Sequence, residues 1–504
     1  MSARYLSDGR RSGGPAAGDA AVAAMPRGRA PGRGALPIRT LAIYAFPAFS
    51  LSIMLGPAGS IIQGIYTRDL GLRLADIANL ILIARLLDAF TDPLIGYASD
   101  ATKGARWGRK LWIVAGAIMS LVGISWLYFP PQGVTPLYFF LSFVASFLGW
   151  TLVEIPHLAW GTEITRTYDE RSRVFSFRFG ATFSGLFVFL AIPLLASLYK
   201  HFFAGLPFDR ISLEYSRETL HAAFWIVAVT LPIAVTLASF FVPPRVDGSP
   251  TVRNAHSLRR LLAAFGENKP FRIFALVMAL FGFATGMQMG IAYLHLSSYL
   301  QLANWAAIIY VVCLPFNVLS TFLWLRAAKH LGKHRAFALG GAVNATLFVA
   351  LGFLSPGPWA LPGYFIVFGL VQWIQGCWYA LPPAILSDVC DYSSFKTGKD
   401  STATYFAAYV FIMKCTQGLG TGIGFAITAA FGFNPAVNVQ SASAAFSLKM
   451  VMGFVPAVLV YAASLIVYHF PITRSRHDTI RKKLERSSRA APQPRWGDTH
   501  AQSK

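Results

Sequence analysis

The chain has 504 residues, of which 55% are hydrophobic and only 13% are charged. This composition leaves too little polar surface for a soluble domain of that length, so it excludes a soluble globular protein and indicates a polytopic membrane protein. The net charge of +22 comes from basic residues in short loops and tails rather than along one stripe, which argues against a nucleic-acid-binding surface.

Twelve apolar runs of about 20 residues, each long enough to cross a bilayer, follow a basic N-terminal stretch. Residues 1–37 are rich in Gly, Ala, Pro and Arg and lack the apolar region of a secretory signal, which predicts a disordered basic cytoplasmic tail. We place the membrane spans at 38–66, 75–99, 109–129, 136–163, 174–199, 219–242, 271–299, 303–328, 335–354, 360–388, 402–431 and 446–470. Residues 473–504 form a second basic cytoplasmic tail.

The charges of the loops predict the orientation of the spans. Basic residues concentrate after the even-numbered spans, at 103–110, 166–173, 245–269, 326–335 and 396–399. The opposite loops are nearly uncharged, apart from a loop of mixed charge at 209–218. By the positive-inside rule, both termini lie in the cytoplasm and the protein crosses the inner membrane.

A polar, basic linker at 244–270 divides the spans six and six. The halves also echo each other, because Gly108-Arg-Lys follows span two and Gly332-Lys-His-Arg follows span eight. We therefore expect an all-α membrane protein of two six-helix bundles, at 38–243 and 271–472, around a central cavity. Parallel six-span repeats of this kind are the layout of the major facilitator superfamily.

Span two carries two acidic residues and a basic one on a single helical face. Arg85, Asp88, Asp92 and Gly96 are spaced three, four and four residues apart, so they line up along a helix. Charges inside a span are costly and mark a functional site, and two close carboxylates need a cation, a proton or a basic partner. Pro93 frees a carbonyl beside them, where a hard cation prefers oxygen ligands. We expect a cation site at Asp88 and Asp92.

Five further residues bring charge or a polar group into the spans. Glu154, with Thr151 one turn away, predicts a role in substrate or cation binding. Lys414 lies too deep in span eleven to reach the interface, so it must pair with a carboxylate or lose its charge. Arg178 either lines the cavity or snorkels to the interface. We interpret His157 as a hydrogen-bonded interior residue rather than a proton relay. With Arg85, Asp88 and Asp92, these charges predict an electrically balanced polar centre.

Span ten combines aromatic and amide side chains, in Gln372-Trp373, Gln375 and Trp378-Tyr379. Aromatic faces beside amides suit sugar rings, whose C–H faces are apolar and whose hydroxyls need donors and acceptors. Aromatic residues also fill helix-packing cores, and this alternative stays open. We expect Tyr379 and Trp373 to contact substrate.

Asp100, at the end of span two, precedes a basic loop that contains Arg109. We expect the two to form a charge clamp that holds one conformation of the transport cycle. The sequence contains no nucleophile elbow, P-loop, zinc motif or nucleotide fingerprint, so it predicts neither an enzyme nor a resident cofactor. A receptor that binds without flux remains a minor alternative.

Together these motifs resemble the glycoside–pentoside–hexuronide:cation symporter family of the major facilitator superfamily, over residues 40 to 470. The similarity rests on Arg85-x-x-Asp88-x-x-x-Asp92-Pro93-x-x-Gly96-x-x-x-Asp100, Arg106-Trp-Gly108-Arg-Lys, Thr151-x-x-Glu154-Ile-Pro156, Arg178, Asp388-Val-Cys-Asp391-Tyr392, Lys396 and Lys414. It implies cation-coupled symport of a sugar or glycoside by alternating access, with Na⁺ or H⁺ as the coupling ion.

The resemblance also implies roles for individual residues. Asp88 and Asp92 match cation-binding acids, which would be Na⁺ ligands if the ion is Na⁺, with Thr151 in support. Glu154, Arg178 and Tyr379 match sugar-site positions. Lys414 matches a lysine near the cation site, and we expect it to act with Arg85 in coupling.

Two departures keep alternatives open. Ser52 stands where the family has a sugar-gripping acid, and Thr91 stands where sodium-coupled members often have Asn. A lysophospholipid-carrying branch shares the acidic pair and the lysine, so a lysolipid or another amphiphile is the alternative substrate. We expect a monomer surrounded by membrane lipids that binds a small molecule and no nucleic acid.

Overall fold

The computed structural model describes residues 36–58, 61–102, 107–165, 168–207, 212–243, 266, 268–397, 402–437, 439–472, 476–477, 479 and 483. The predicted N-terminal tail, most of the linker at 244–270, nearly all of the C-terminal tail and loop residues 103–106 lie outside the described residues.

The described part of the chain folds into helices. In order they are α1 Ile38–Leu55, α2 Ile61–Arg68, α3 Leu74–Ala101, α4 Gly108–Tyr128, α5 Pro136–Glu163, α6 Tyr168–Ala204, α7 Arg217–Phe241, α8 Lys269–Leu294, α9 Ala306–Leu331, α10 Lys333–Phe353, α11 Ala360–Thr397, α12 Thr402–Ala430, α13 Ala442–Lys449 and α14 Val455–Tyr468. Short π-helical segments, His295–Tyr299 and Met450–Phe454, extend α8 and join α13 to α14. The prediction of an all-α membrane protein is confirmed.

Each predicted span coincides with one or two of these helices. By length and composition, 11 segments among the described residues are apolar enough to cross a membrane, and they cover every predicted span except the second. That span is α3, whose 28 residues are long enough at about 1.5 Å each. It falls short in composition because it carries Arg85, Asp88 and Asp92 in its middle, so the span that charges interrupt is the one with the predicted cation site.

The first predicted span is broken in the middle. A 3₁₀ turn, Gly56–Ala58, separates α1 from α2. Pro57 has no backbone N–H to continue an α-helix, and a Cβ on Gly56 would lie 2.3 Å from the ring of Phe189 on α6. The break therefore lets α6 pack closely against the first span.

Packing within each half is local, and a few helix pairs join the halves. In the first half α1 packs on α6 and α7, and α4 packs on α5. In the second half α8 packs on α12, α9 on α11, and α10 on α14. Across the halves α3 packs on α12, α6 on α9, and α2 on α8. The first of these pairs brings together the two charged helices, α3 and α12.

On the side opposite the start of α1 and the end of α14, the halves touch through tyrosines. The Tyr293 hydroxyl donates to the carbonyl oxygen of Tyr215 at 3.3 Å, and the two rings lie 5.6 Å apart in an edge-to-face arrangement. Nearby, the Ser212 hydroxyl donates to Asn304 Oδ1 at 2.9 Å. This side is closed by contacts between the halves.

Candidate substrate and cation site

The charged face of α3 meets α12 in two neighbouring ion pairs. Arg85 Nη1 lies 3.0 Å from Asp88 Oδ2, one turn along the same helix. Lys414 Nζ, on α12, donates a hydrogen bond to Asp92 Oδ2 across the two halves. Gly418 makes this approach possible, because a Cβ there would lie 2.8 Å from the side chain of Arg85. The structure thus gives Lys414 the carboxylate partner that its depth in the span requires.

The second oxygen of Asp92 is buried and accepts no hydrogen bond from any described residue. A carboxylate accepts several hydrogen bonds or a cation, and a buried oxygen without a partner is destabilising. The Asp88 side chain is 24% exposed and that of Asp92 only 14%. This oxygen is a place where a cation or a proton can bind.

Aromatic side chains of α5 cover the basic members of these pairs. The Arg85 guanidinium lies 4.3 Å from the ring centroid of Phe147, and the Lys414 ammonium lies 5.2 Å from that of Trp150. Such contacts stabilise a cation that is partly removed from water. Thr151, the predicted supporting ligand, is buried beside Trp150, but the structure shows no hydrogen bond from it to Asp88 or Asp92.

One turn along α5, Glu154 pairs with Arg178 of α6. Their side chains approach to 2.5 Å, and Arg178 Nε also reaches His157 Nδ1 at 3.4 Å. Since Nδ1 accepts there, the His157 proton sits on Nε2, which donates to the Tyr44 carbonyl at 2.8 Å. The Tyr44 hydroxyl returns a bond to the His157 carbonyl at 2.8 Å. His157 is thus hydrogen-bonded in the interior, and Arg178 faces inward rather than toward the interface.

A cavity of about 290 Å³ opens between the two halves, lined by α6, α8, α9 and α11 together with the turn after α1. The polar groups on its wall include Thr182, Gln288, Asn317, Gln372, Gln375 and Tyr379. Tyr379 is 57% exposed, and its ring meets that of Phe179 on α6 edge-on, with centroids 6.5 Å apart. Neither Glu154 nor Arg178 is among the lining residues, but Arg178 lies one turn before Thr182 on α6, so the Glu154–Arg178 pair adjoins the cavity.

Trp373, predicted to contact substrate, does not line this cavity. Gln372, Gln375 and Tyr379 are three and four residues apart and share one face of α11. Trp373 points about 100° away from Gln372 and packs edge-on against Phe316 of α9, with ring centroids 6.1 Å apart. The rotation of α11 therefore places Trp373 in the contact between helices, which was the alternative role of the aromatic residues in span ten.

Asp100 and Arg109, predicted as a charge clamp, are in contact. The Arg109 guanidinium hydrogen-bonds Asp100, and it also reaches Glu163 Oε1 and the Ser99 hydroxyl at 3.0 and 3.1 Å. The Arg109 side chain is only 7% exposed. Glu163 and Ser99 were not predicted, because only the fold brings the ends of α3 and α5 together.

The glycine and basic residues that follow span two and span eight have similar conformations and contacts in the structure. Gly108 and Gly332 both have positive φ, +40° and +87°, which favours glycine. In each half the next residue, Arg109 or Lys333, contacts an acid on a later helix. In the second half that acid is Asp388, at 2.5 Å from Lys333.

The structure adds cavity residues that the sequence analysis did not single out. Asn317 and Gln288 are neutral, so nothing in the pattern of charges marks them, although both line the cavity. Tyr44 hydrogen-bonds His157 from α1, a contact over 113 residues of chain. A polar side chain in the middle of an apolar span is the one signal that could have identified Asn317 and Gln288.

Comparison with known proteins agrees with this architecture. Residues 43–474 match the family described as MFS/sugar transport protein. Similar proteins include the inner membrane symporter YicJ of Escherichia coli K12, 22% identical over 85% of this chain and 90% of that protein. A glucuronide carrier protein homolog of the same organism is 22% identical over 89% of this chain and 96% of that protein. An isoprimeverose transporter of Lactiplantibacillus pentosus is 22% identical over 81% of this chain and 83% of that protein.

Among solved structures, a bacterial homolog of the human lysosomal transporter Spinster, inward-facing and unoccupied, superposes with a TM-score of 0.61. It is 14% identical and covers 89% of this chain and 99% of its own, which shows a shared fold. The nucleoside transporter NupG superposes with a TM-score of 0.58 at 15% identity, over 85% of this chain and 98% of its own. Since the family match spans most of the described helices, this protein is a member of the MFS/sugar transport protein family and has the major facilitator fold.

Proposed function

We propose that this protein is a symporter that uses a gradient of Na⁺ or H⁺ to carry a sugar or glycoside across the inner membrane by alternating access. Both termini face the cytoplasm, and the protein catalyses no chemical reaction. The names of the relatives, which include symporters and carriers of sugars, support this proposal. The observation that carries it is the ion pair between Lys414 and Asp92, which leaves one buried Asp92 oxygen without a partner.

Cation binding at this place links the two halves. Asp88 and Asp92 stand on α3 in the first half, whereas Lys414 stands on α12 in the second. A Na⁺ or a proton at the acidic pair competes with Lys414 for Asp92, so it changes a contact that spans the halves. Alternating access requires the halves to move against each other, and such a contact biases that movement. Arg85 holds Asp88 and acts with Lys414 in coupling.

Substrate binds one turn along α5 and in the adjoining cavity. Glu154 and Arg178 offer a charged acceptor and a fork of donors that suit sugar hydroxyls. Tyr379 and Phe179 offer apolar ring faces for the sugar C–H groups. Trp150 and Glu154 are four residues apart on α5, so this helix connects the substrate site to the cation site. By thermodynamic linkage, the cation and the substrate each tighten the binding of the other by the same factor.

Uphill uptake into proteoliposomes tests the proposal. Asp92→Asn removes the negative charge but keeps the shape of the side chain, so we expect it to abolish cation-driven accumulation while the protein stays folded. Asp76→Asn is the matched control, because Asp76 lies at the exposed start of the same helix and pairs with Arg73. Normal accumulation by the Asp92 variant would contradict the proposal.

A second candidate substrate is a lysolipid or a similar amphiphile. It is favoured by the apolar side chains that share the cavity wall with the amides, including Phe183, Leu186 and Phe368. It is also favoured by Ser52, which stands where a sugar-gripping acid is expected and donates to the Thr182 carbonyl at 2.7 Å. Thermal stabilisation of the purified protein by lysolipid, with no response to sugars, would select this candidate.

A further inference from the structure

The basic side chains deep in the described spans are already paired with acids. Arg85 pairs with Asp88 and Arg178 with Glu154. Lys414 pairs with Asp92. This part of the structure therefore balances each deep positive charge and offers no spare cation to a negatively charged substrate.

The cavity wall is also free of charge. Among the described residues that line it there is no Asp, Glu, Lys, Arg or His, and its polar groups are amides and hydroxyls. An amide both donates and accepts, as a sugar hydroxyl does, so the two satisfy each other's hydrogen bonds. A carboxylate, by contrast, only accepts and loses its hydration when it enters such a wall without a cation beside it.

Four amides of the second half share this wall: Gln288, Asn317, Gln372 and Gln375. Three of them stand on α9 and α11, which are in close contact, since a Cβ on Gly376 would lie 2.7 Å from the Asn317 carbonyl oxygen. Asn317 Nδ2 and Gln375 Oε1 are 3.5 Å apart, a long hydrogen bond.

The protein itself satisfies these amides poorly. The Gln288 side chain donates to the thioether of Met452 at 4.0 Å, although Gln288 is only 3% exposed. The structure shows no hydrogen bond between Gln372, 9% exposed, and another described residue. Neither side chain is among the described ones with a fully buried, unpartnered polar atom, so these amide groups reach the cavity, where a ligand can complete their hydrogen bonds.

From these observations, and on the basis of the function proposed above, we infer that Gln288, Asn317, Gln372 and Gln375 form an amide subsite that selects uncharged glycosides and rejects hexuronides. The hydroxyls of a neutral sugar bind the amides while its ring lies against Tyr379 and Phe179. A hexuronide places a carboxylate among neutral groups and must break an existing ion pair to find a cation.

Matched pairs of ligands test the inference on the purified full-length protein. Methyl glucoside and methyl glucuronide differ at C6 alone, as do methyl galactoside and methyl galacturonide. Dissociation constants are measured by calorimetry at saturating Na⁺ and again at low pH. We expect one neutral glycoside to bind and its uronide to bind at least about tenfold more weakly, which corresponds to about 1.4 kcal/mol.

Substitutions then test the amides themselves. Gln372→Met and Gln375→Met keep the length of the side chain but remove its hydrogen bonds, so each should raise the dissociation constant of the neutral glycoside about tenfold. Gln440→Met is the control, because the hydrogen bonds of Gln440 to described residues stay within the loop before α13. Gln375→Arg supplies an unpaired cation and should shift the preference toward the uronide; if that variant fails to fold, the two methionine variants still test the subsite.

Failure of this inference differs from failure of the proposed function. A uronide that binds as tightly as its neutral counterpart, with uptake that still needs Asp92, overturns the amide subsite and leaves the symporter intact. If both methionine variants bind the neutral glycoside with unchanged affinity, the amide subsite is likewise overturned and the symporter is not. Absence of binding by every sugar in the panel overturns both.

Discussion

Lys414 on α12 donates a hydrogen bond to Asp92 on α3, and this ion pair joins the two halves of the transporter. Asp92 is mostly buried, while the Lys414 side chain is 40% exposed. The acid therefore depends on the lysine for its charge balance, whereas the lysine can move into a more hydrated position.

This dependence predicts a thermodynamic signature. Removal of Lys414 alone leaves Asp92 as an unbalanced buried charge, so we expect Lys414→Met to destabilise the protein by roughly 1–3 kcal/mol. The double variant with Asp92→Asn should recover much of this loss. Chemical unfolding of the single and double variants measures the coupling.

The control for that cycle is a surface ion pair. Lys200 and Glu218 lie 2.8 Å apart with side chains 44% and 77% exposed, and Lys200→Met should change stability by no more than about 0.5 kcal/mol. If Lys414→Met and Lys200→Met lower the free energy of unfolding equally, the central ion pair is no more important for stability than the surface pair.

Arg109 gives a second prediction, on the clamp at the ends of α3, α4 and α5. A guanidinium bonds several partners in one plane, whereas an ammonium cannot reproduce that geometry. Arg109→Lys should therefore weaken the contacts to Asp100 and Glu163 and lower the rate of uptake several-fold, and Arg109→Ala should also destabilise the protein by about 3 kcal/mol. Uptake and unfolding are measured on the same preparations.

Arg73→Ala serves as the comparison for Arg109. Its side chain is 81% exposed and pairs with Asp76 at the start of α3. It should lower stability by less than about 1 kcal/mol and leave uptake unchanged. Similar changes in stability and uptake for Arg73→Ala and Arg109→Ala would contradict the proposed clamp.

The closed side of the molecule gives a third prediction. Tyr293→Phe removes the hydrogen bond to the Tyr215 carbonyl, worth about 1 kcal/mol, so the closed state should become roughly fivefold less favoured. A cysteine placed at Leu186, on the cavity wall, should then react faster with a membrane-impermeant maleimide added from that side. The same cysteine in the otherwise unchanged chain provides the baseline, and an unaltered rate would argue against a tyrosine gate.

The contact between α3 and α12 gives a fourth prediction. Since a Cβ on Gly418 would lie 2.8 Å from the Arg85 side chain, Gly418→Ala must push the two helices apart and should destabilise the protein by about 1–3 kcal/mol. Gly180→Ala is the matched control in a helix, with no atom within 4 Å of its Cβ, and should be neutral or stabilising. Unfolding temperatures of the two variants decide the matter.

The sequence by itself determined the class of protein and the position of each charge along its helix. Apolar runs of sufficient length predict spans because a bilayer forbids exposed backbone groups, and all twelve predicted spans coincide with described helices. The spacing of Arg85, Asp88 and Asp92 placed them on one face, and the depth of Lys414 required an acid as partner. Membership of a sugar transporter family followed from the same motifs.

Only the tertiary structure decided which groups meet. Nothing local links Lys414 to Asp92, 322 residues away, or Arg178 to Glu154 on another helix. The position of Trp373 could not be predicted for the same reason. Its aromatic side chain suits either a substrate or a helix interface, and only the rotation of α11 in the fold places it against Phe316. Partners across helices depend on packing angles and on close approaches at glycines such as Gly418, which arise from the whole fold rather than from any single segment.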